Sequence, residues 1–238
     1  LDVKVGNGSF NSTLEIAKNL AKSLVKVAKG AGLQCEAILT DMNQILGRSA
    51  GHSLEVKECI EYLVSNKRNK NLEIITNELI SSILMMIKKI SKEESLNQIN
   101  IALDSGKAAE KFEKMIHGLG GPHSFLNNYE KELNNNMFSQ DIYLEKTGWI
   151  KSIKTRELGL LLIELGGGRK QVADKINYHV GYDNVYGVGE YIDSSTPVIK
   201  VFTKSKQDFE NIKNPIKNCF EISENKIKKS QNIYGTIN

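Results

Sequence analysis

The sequence predicts an α/β protein: a parallel, βαβ-containing sheet with flanking helices, followed by a small C-terminal α+β domain. Three features carry that class. The chain opens on a short alternating strand that stops at a glycine turn and passes directly into an amphipathic helix and a second strand. Strand, helix and strand joined by short connections imply parallel pairing with a right-handed crossover. Between about 53 and 117 the apolar residues recur at helical spacing, and from Ile142 they arrive in short runs separated by glycine and turn residues.

The first strand, Leu1-Asp2-Val3-Lys4-Val5, ends at Gly6-Asn7-Gly8-Ser9-Phe10. Ser12-Thr13-Leu14-Glu15 follows as a serine N-cap with a glutamate placed to close a capping box. Leu14, Ala17, Ala21, Leu24, Val25 and Ala28 then define a helix over about 13–29, stopped by Gly30-Ala31-Gly32. Gln34 to Thr40 is the second strand and ends in the polar corner Asp41-Met42-Asn43-Gln44. A helix from Ser53 carries Leu54, Ile60 and Leu63, and a Lys67-Arg68-Asn69-Lys70 turn leads into a long helix over about 72–90. The Met85-Met86 pair on it reads as core filling. Ser91-Lys92-Glu93-Glu94 repeats the capping signature before a helix to Leu103, and a further helix carries Ala108, Phe112 and Met115. The texture changes at Gly120-Gly121-Pro122 and through the asparagines 127–136, so the division is 1–120, a linker over 121–140, and 141–238. The last part reads as a strand over 148–153, a helix from Arg156 to Leu165, and a Gly166-Gly167-Gly168 corner. Strands follow around Tyr178, Glu190 and Val198 to Phe202, and then a final amphipathic helix over 207–222.

Composition narrows the function classes. The chain of 238 residues has a formal net charge of +4, with its lysines dispersed among glutamates, so no nucleic-acid partner is called for. Cys35, Cys59 and Cys219 are odd in number and lack CxxC spacing, which predicts reduced core thiols in a cytoplasmic protein. The most apolar run, Leu79 to Ile90, is interrupted by Ser81, Ser82, Lys88 and Lys89, so no membrane segment is expected.

The chemistry-bearing residues are few. Gly6-Asn7-Gly8-Ser9-Phe10-Asn11 fails the dinucleotide fingerprint, because Asn11 stands where its third glycine would be. His52, His117, His123 and His179 show no metal-ligand spacing. The stretch from Asp41 to Glu58 is an irregular, glycine-punctuated loop running into a helix. Exposed carbonyls with one carboxylate suit a hard cation such as potassium.

Lys4-Val5-Gly6-Asn7-Gly8-Ser9-Phe10, Thr40-Asp41-Met42-Asn43-Gln44, Gly51-His52-Ser53-Leu54-Glu55-Val56-Lys57-Glu58, Leu165-Gly166-Gly167-Gly168-Arg169 and Val180-Gly181 occur in the order and spacing of the thymidine and pyrimidine-nucleoside phosphorylase family. The chain resembles that family over essentially its whole length. The resemblance implies phosphorolysis of thymidine to thymine and 2-deoxyribose 1-phosphate, in a homodimer whose lobes close on thymidine and phosphate. It implies that no cofactor is required and that a potassium ion can be bound. It implies that Phe10 lines the base pocket near the pyrimidine 5-substituent. It also implies that Leu46 and Ser49, through carbonyls, and Glu58, through its carboxylate, are potassium ligands.

In this family the residues that hold phosphate, and the arginine, serine and lysine that grip the pyrimidine, precede the Asp2-Val3-Lys4-Val5-Gly6 strand, and none has a counterpart here. The resemblance therefore implies the carboxyl-terminal portion of such an enzyme, without its amino-terminal lobe and inactive alone. The alternative is a non-catalytic remnant, or a partner of a separately encoded lobe. Ser9 replaces the family's usual alanine, and Asn11-Ser12 its usual Met-Pro.

Overall fold

The computed structural model describes residues 1–65, 68–133 and 136–238. Lys67 of the expected turn, and Asn134 and Asn135 of the expected linker, lie outside the described residues. The fold is mixed α/β, with eight helices and three small three-stranded sheets among the described residues.

The first sheet holds β1 (Asp2–Val5), β2 (Ala37–Asp41) and β9 (Ile233–Ile237) in the order β1-β2-β9. β1 and β2 pair in parallel, from Asp2 opposite Ile38 to Val5 opposite Asp41, and α1 (Leu14–Gly30) connects them. β9 adds antiparallel to β2, so the last strand of the chain returns to the first sheet. A period-two strand makes this possible: Val3 and Val5 point to the helix side, where they meet Ala17, Ala21 and Val25 of α1, while Asp2 and Lys4 point away and form an ion pair at 2.9 Å.

Two local expectations change. The cap of α1 is Thr13, in extended conformation, whose hydroxyl accepts from Ile16 N–H at 3.3 Å; Ser12 lies one residue too early. Leu24 joins Ile16, Leu20 and Val27 in an exposed stripe. The small Ala17 and Ala21 let the helix settle closely on the sheet, and the larger residues are turned about a quarter of the way round it.

Next come α2 (His52–Val64), α3 (Lys70–Lys88), α4 (Lys92–Asp104), α5 (Lys107–Gly118) and α6 (Phe125–Glu132). Tyr62, Ile99 and Leu103, joined by Leu72, Leu84 and Leu96, bind α2, α3 and α4 together. Ser91 caps α4 by accepting from Glu94 N–H at 3.1 Å. Met85 does not fill the core: it is on the outer side of α3, exposed, while the neighbouring Leu84 packs inward. Helix α6 occupies part of the stretch read as a linker.

The C-terminal region comprises β3 (Phe138–Tyr143), β4 (Gly148–Ile153), α7 (Thr155–Glu164), β5 (Gly181–Asp183), β6 (Tyr191–Ile192), β7 (Pro197–Thr203), α8 (Lys206–Lys217) and β8 (Phe220–Ser223). Two antiparallel sheets, β3-β7-β5 and β6-β4-β8, enclose the largest core, which includes Ile150, Leu158, Tyr182, Val201, Phe209 and Ile216. Tyr178 and Glu190 fall in turns just before β5 and β6. The final helix stops at Lys217, because Phe220 to Ser223 leave it to pair with β4. Cys219 is buried as expected, Cys35 is half-buried and Cys59 is exposed on α2. No described helix is long and apolar enough to cross a membrane.

Candidate functional site

Two polar junctions join the first sheet to the C-terminal region. The first is built on the β1–α1 corner. Gly6 takes φ +129°, a conformation that L side chains rarely adopt, and a Cβ there would lie 2.6 Å from Asn43 Oδ1. The turn therefore needs glycine for both backbone and space. With Gly6 so placed, the N–H of Asn7 donates to Asn43 Oδ1 at 2.9 Å, and Asn43 Nδ2 donates to Asp41 Oδ1 at 2.7 Å. Tyr234 on β9 donates to the same Asp41 oxygen at 2.7 Å. Asp41 is buried, and its other carboxylate oxygen has no hydrogen-bond partner among the described residues. Burial pushes the Tyr234 hydroxyl up to about 12, and the Asp41 carboxylate adds to the effect by accepting its proton and by its charge.

Asn7 also reaches across to the C-terminal region. Its Nδ2 donates to Ile153 O at 3.0 Å, and its Oδ1 accepts from Thr155 N–H at 2.7 Å. Helix α7 has no side-chain cap of its own at Lys154, so Asn7 supplies one from the other end of the chain. On the outside of the corner, Ser9 Oγ and Asn11 Nδ2 both donate to Lys4 O, at 2.9 and 3.1 Å. Phe10 projects from this clamped turn and is 94% exposed. Arg156, in the first turn of α7, places its guanidinium carbon 5.8 Å from the centre of the Phe10 ring.

The second junction is the loop from Gln44 to Ala50. Glu58 on α2 turns back onto it. Its carboxylate accepts from Arg48 N–H at 2.7 Å, Ser49 N–H at 3.1 Å and Ser49 Oγ at 2.5 Å. A Cβ on Gly47 would collide with that carboxylate, so the close approach depends on glycine at 47. Arg48 meets Glu190 through two hydrogen bonds, at 2.8 and 2.5 Å, and Val188 N–H donates to Gln44 Oε1 at 2.9 Å. Gln44, Arg48, Glu58 and Glu190, with Tyr62, Arg68 and Tyr186, line a cleft of about 460 Å³.

The structure brings Ser49 onto Glu58, with Leu46 on the same loop, and leaves Phe10 at the other junction. As folded, Glu58 accepts from the N–H groups of Arg48 and Ser49 and from the Ser49 hydroxyl on the loop. Among the described residues there is no group of three or more His, Cys, Asp or Glu able to hold a metal ion. The histidines are dispersed: His52 meets Tyr178 edge-on, His117 lies against His123, and His179 Nδ1 is 3.1 Å from Ser53 Oγ.

Asn7, Asn43, Arg156 and the Arg48–Glu190 pair were not legible as site residues in the sequence. Their partners are far away along the chain, and neither spacing nor periodicity marks them. A polar residue between the two glycines of the first turn was the only local signal, and it pointed at Asn7 without naming Ile153 or Thr155 as its partners.

The region that receives the Asn7 contacts, and that carries Arg156 and Glu190, is similar to a known domain. Residues 149–223 match the family model described as the pyrimidine nucleoside phosphorylase C-terminal domain. They run from β4 through α7, β7 and α8 to the end of β8. Over those residues the chain is similar to the C-terminal domain of pyrimidine nucleoside phosphorylases, and the match supports that family for it.

Proposed function

We propose that this chain contributes the C-terminal domain and one wall of the base pocket to a thymidine phosphorylase, which converts thymidine and phosphate to thymine and 2-deoxyribose 1-phosphate. One observation carries the reading: the corner bearing Phe10 is fastened by Asn7 to Ile153 and Thr155, inside the stretch similar to the pyrimidine nucleoside phosphorylase C-terminal domain. An aromatic ring held on a rigid turn with most of its surface open is suited to stacking on a planar base. The groups that grip phosphate and complete the base pocket come from an amino-terminal lobe, in an enzyme that works as a homodimer. The assembly works in the cytoplasm. The chemistry asked of it is to hold phosphate near the anomeric carbon, stabilise negative charge on the departing pyrimidine, and exclude water.

The test is an assay of thymine released from thymidine with phosphate. The chain alone should release none above a boiled control, and addition of a phosphorylase amino-terminal lobe should restore turnover. Turnover by the chain alone would sink the first statement. Inert mixtures would favour the second reading, a non-catalytic binding partner, for which the exposed α1 stripe of Ile16, Leu20, Leu24 and Val27 supplies the surface.

A further inference from the structure

We infer that Arg156 is a base-contacting residue, and that with Phe10 it forms a two-sided subsite for a planar pyrimidine carrying exocyclic oxygens. The inference rests on the reading of Phe10 as a wall of the base pocket and extends it to a side chain on α7. Three properties of the junction support it.

The first is the economy of the Phe10 placement. A phenyl ring that is 94% exposed contributes little to folding, yet its turn is held by Ser9, Asn11, Asn7 and Asn43. Rigid presentation of an open apolar face lowers the ordering cost of stacking a flat ligand on it. The second is the state of Arg156. Among the described residues no carboxylate lies within ion-pair distance of its guanidinium; the neighbouring Glu157 pairs instead with Lys154, at 3.7 Å. Five donors are thus open beside an open aromatic face. The third is how the two are held together. They come from distant parts of the chain, and Asn7 spans the gap by accepting from Thr155, next to Arg156, while sitting three residues before Phe10.

The guanidinium lies over one face of the Phe10 ring, 5.8 Å from its centre, and leaves most of that face open, so a pyrimidine stacked beside it on the same face would bring a ring carbonyl to the guanidinium edge. Arg156 then donates to that oxygen, where negative charge gathers as the base departs. Lysine at this position would keep the charge and lose the planar fork.

The probe is thymine itself, titrated into the chain and followed by saturation-transfer NMR, which reads contacts of millimolar affinity. The expected result is transfer to the thymine methyl and H6 protons, about tenfold weaker binding in Arg156→Gln, and partial recovery in Arg156→Lys. Phe10→Ala should abolish the transfer, and Lys175→Gln, on an exposed loop, should leave it unchanged. Circular dichroism of each variant separates lost binding from lost fold. Thymine binding that is equal in wild type and Arg156→Gln overturns the inference, as does the absence of any transfer in the wild type. Arg156-dependent binding without phosphorolysis in the reconstituted mixture would retain the inference and remove the enzymatic reading. Phosphorolysis indifferent to Arg156 would do the reverse.

Discussion

Replacing Glu58 by glutamine keeps the volume of the side chain and removes its charge, so it isolates what the carboxylate does for the loop. Three donors converge on it: the N–H groups of Arg48 and Ser49, and the Ser49 hydroxyl. Hydrogen bonds to a charged acceptor contribute roughly 1.5–3 kcal/mol each. The amide keeps one acceptor oxygen and turns an –NH2 toward the remaining donors. One bond is therefore weakened and at least one becomes a donor–donor clash, for an expected loss of about 2–4 kcal/mol. A chain of this size shifts in melting temperature by roughly 2–4 °C per kcal/mol, so the midpoint should fall by roughly 4–16 °C. Thermal and urea unfolding followed by far-ultraviolet circular dichroism measure it. The same experiment distinguishes a hydrogen-bonded staple from a cation ligand. A staple gives the same loss in potassium and in choline buffers. A wild type that weakens when choline replaces potassium, with Glu58→Gln insensitive to the exchange, would refute the staple. A loss below about 0.5 kcal/mol in both buffers would refute the hydrogen-bond account itself, since that is the range of neutral surface substitutions.

Other substitutions test the rest of the framework. Asn7→Ala removes the acceptor for Thr155 N–H and the donor to Ile153 O, and should cost about 1–3 kcal/mol while loosening the turn that carries Phe10; hydrogen exchange at Thr155 reads the lost cap. Tyr234→Phe leaves Asp41 with fewer donors and should cost about 1.5–3 kcal/mol near neutral pH by urea unfolding. Because the folded state holds the Tyr234 proton more tightly than the unfolded chain, its contribution is fully present below pH 10 and is lost as pH rises to about 12. Wild type should lose stability across that window more steeply than Tyr234→Phe. Burial raises the Cys219 thiol to about 11, so it should resist iodoacetamide at pH 8 in the folded protein and react on unfolding; labelling at the folded rate of an exposed thiol would contradict its placement.

The elements that depend on neighbours along the chain were readable in the sequence. Alternation in Asp2 to Val5, the glycine turn, the helix that follows it and the Ser91 cap are local, and each appears where its periodicity or capping chemistry puts it. Even there, which of two adjacent hydroxyl residues caps α1 was decided by backbone conformation, and Thr13 displaced Ser12. The helix expected to run to 222 ended early because Phe220 and its neighbours gain more from pairing with β4 than from another helical turn, a competition that helical periodicity does not contain.

The sequence by itself determined the mixed α/β class, most helices, and the glycines that make both junctions. Only the tertiary structure decided what those junctions join. Asn7 meets Thr155, Arg48 meets Glu190, Tyr234 meets Asp41 and Arg156 comes up beside Phe10. Polar pairs between distant segments leave no period in the sequence, because each partner is an ordinary surface residue until packing desolvates it beside the other. The same holds for Glu58. Its residue type and its distance from a glycine loop singled it out in the sequence, and only the fold shows which loop groups donate to it.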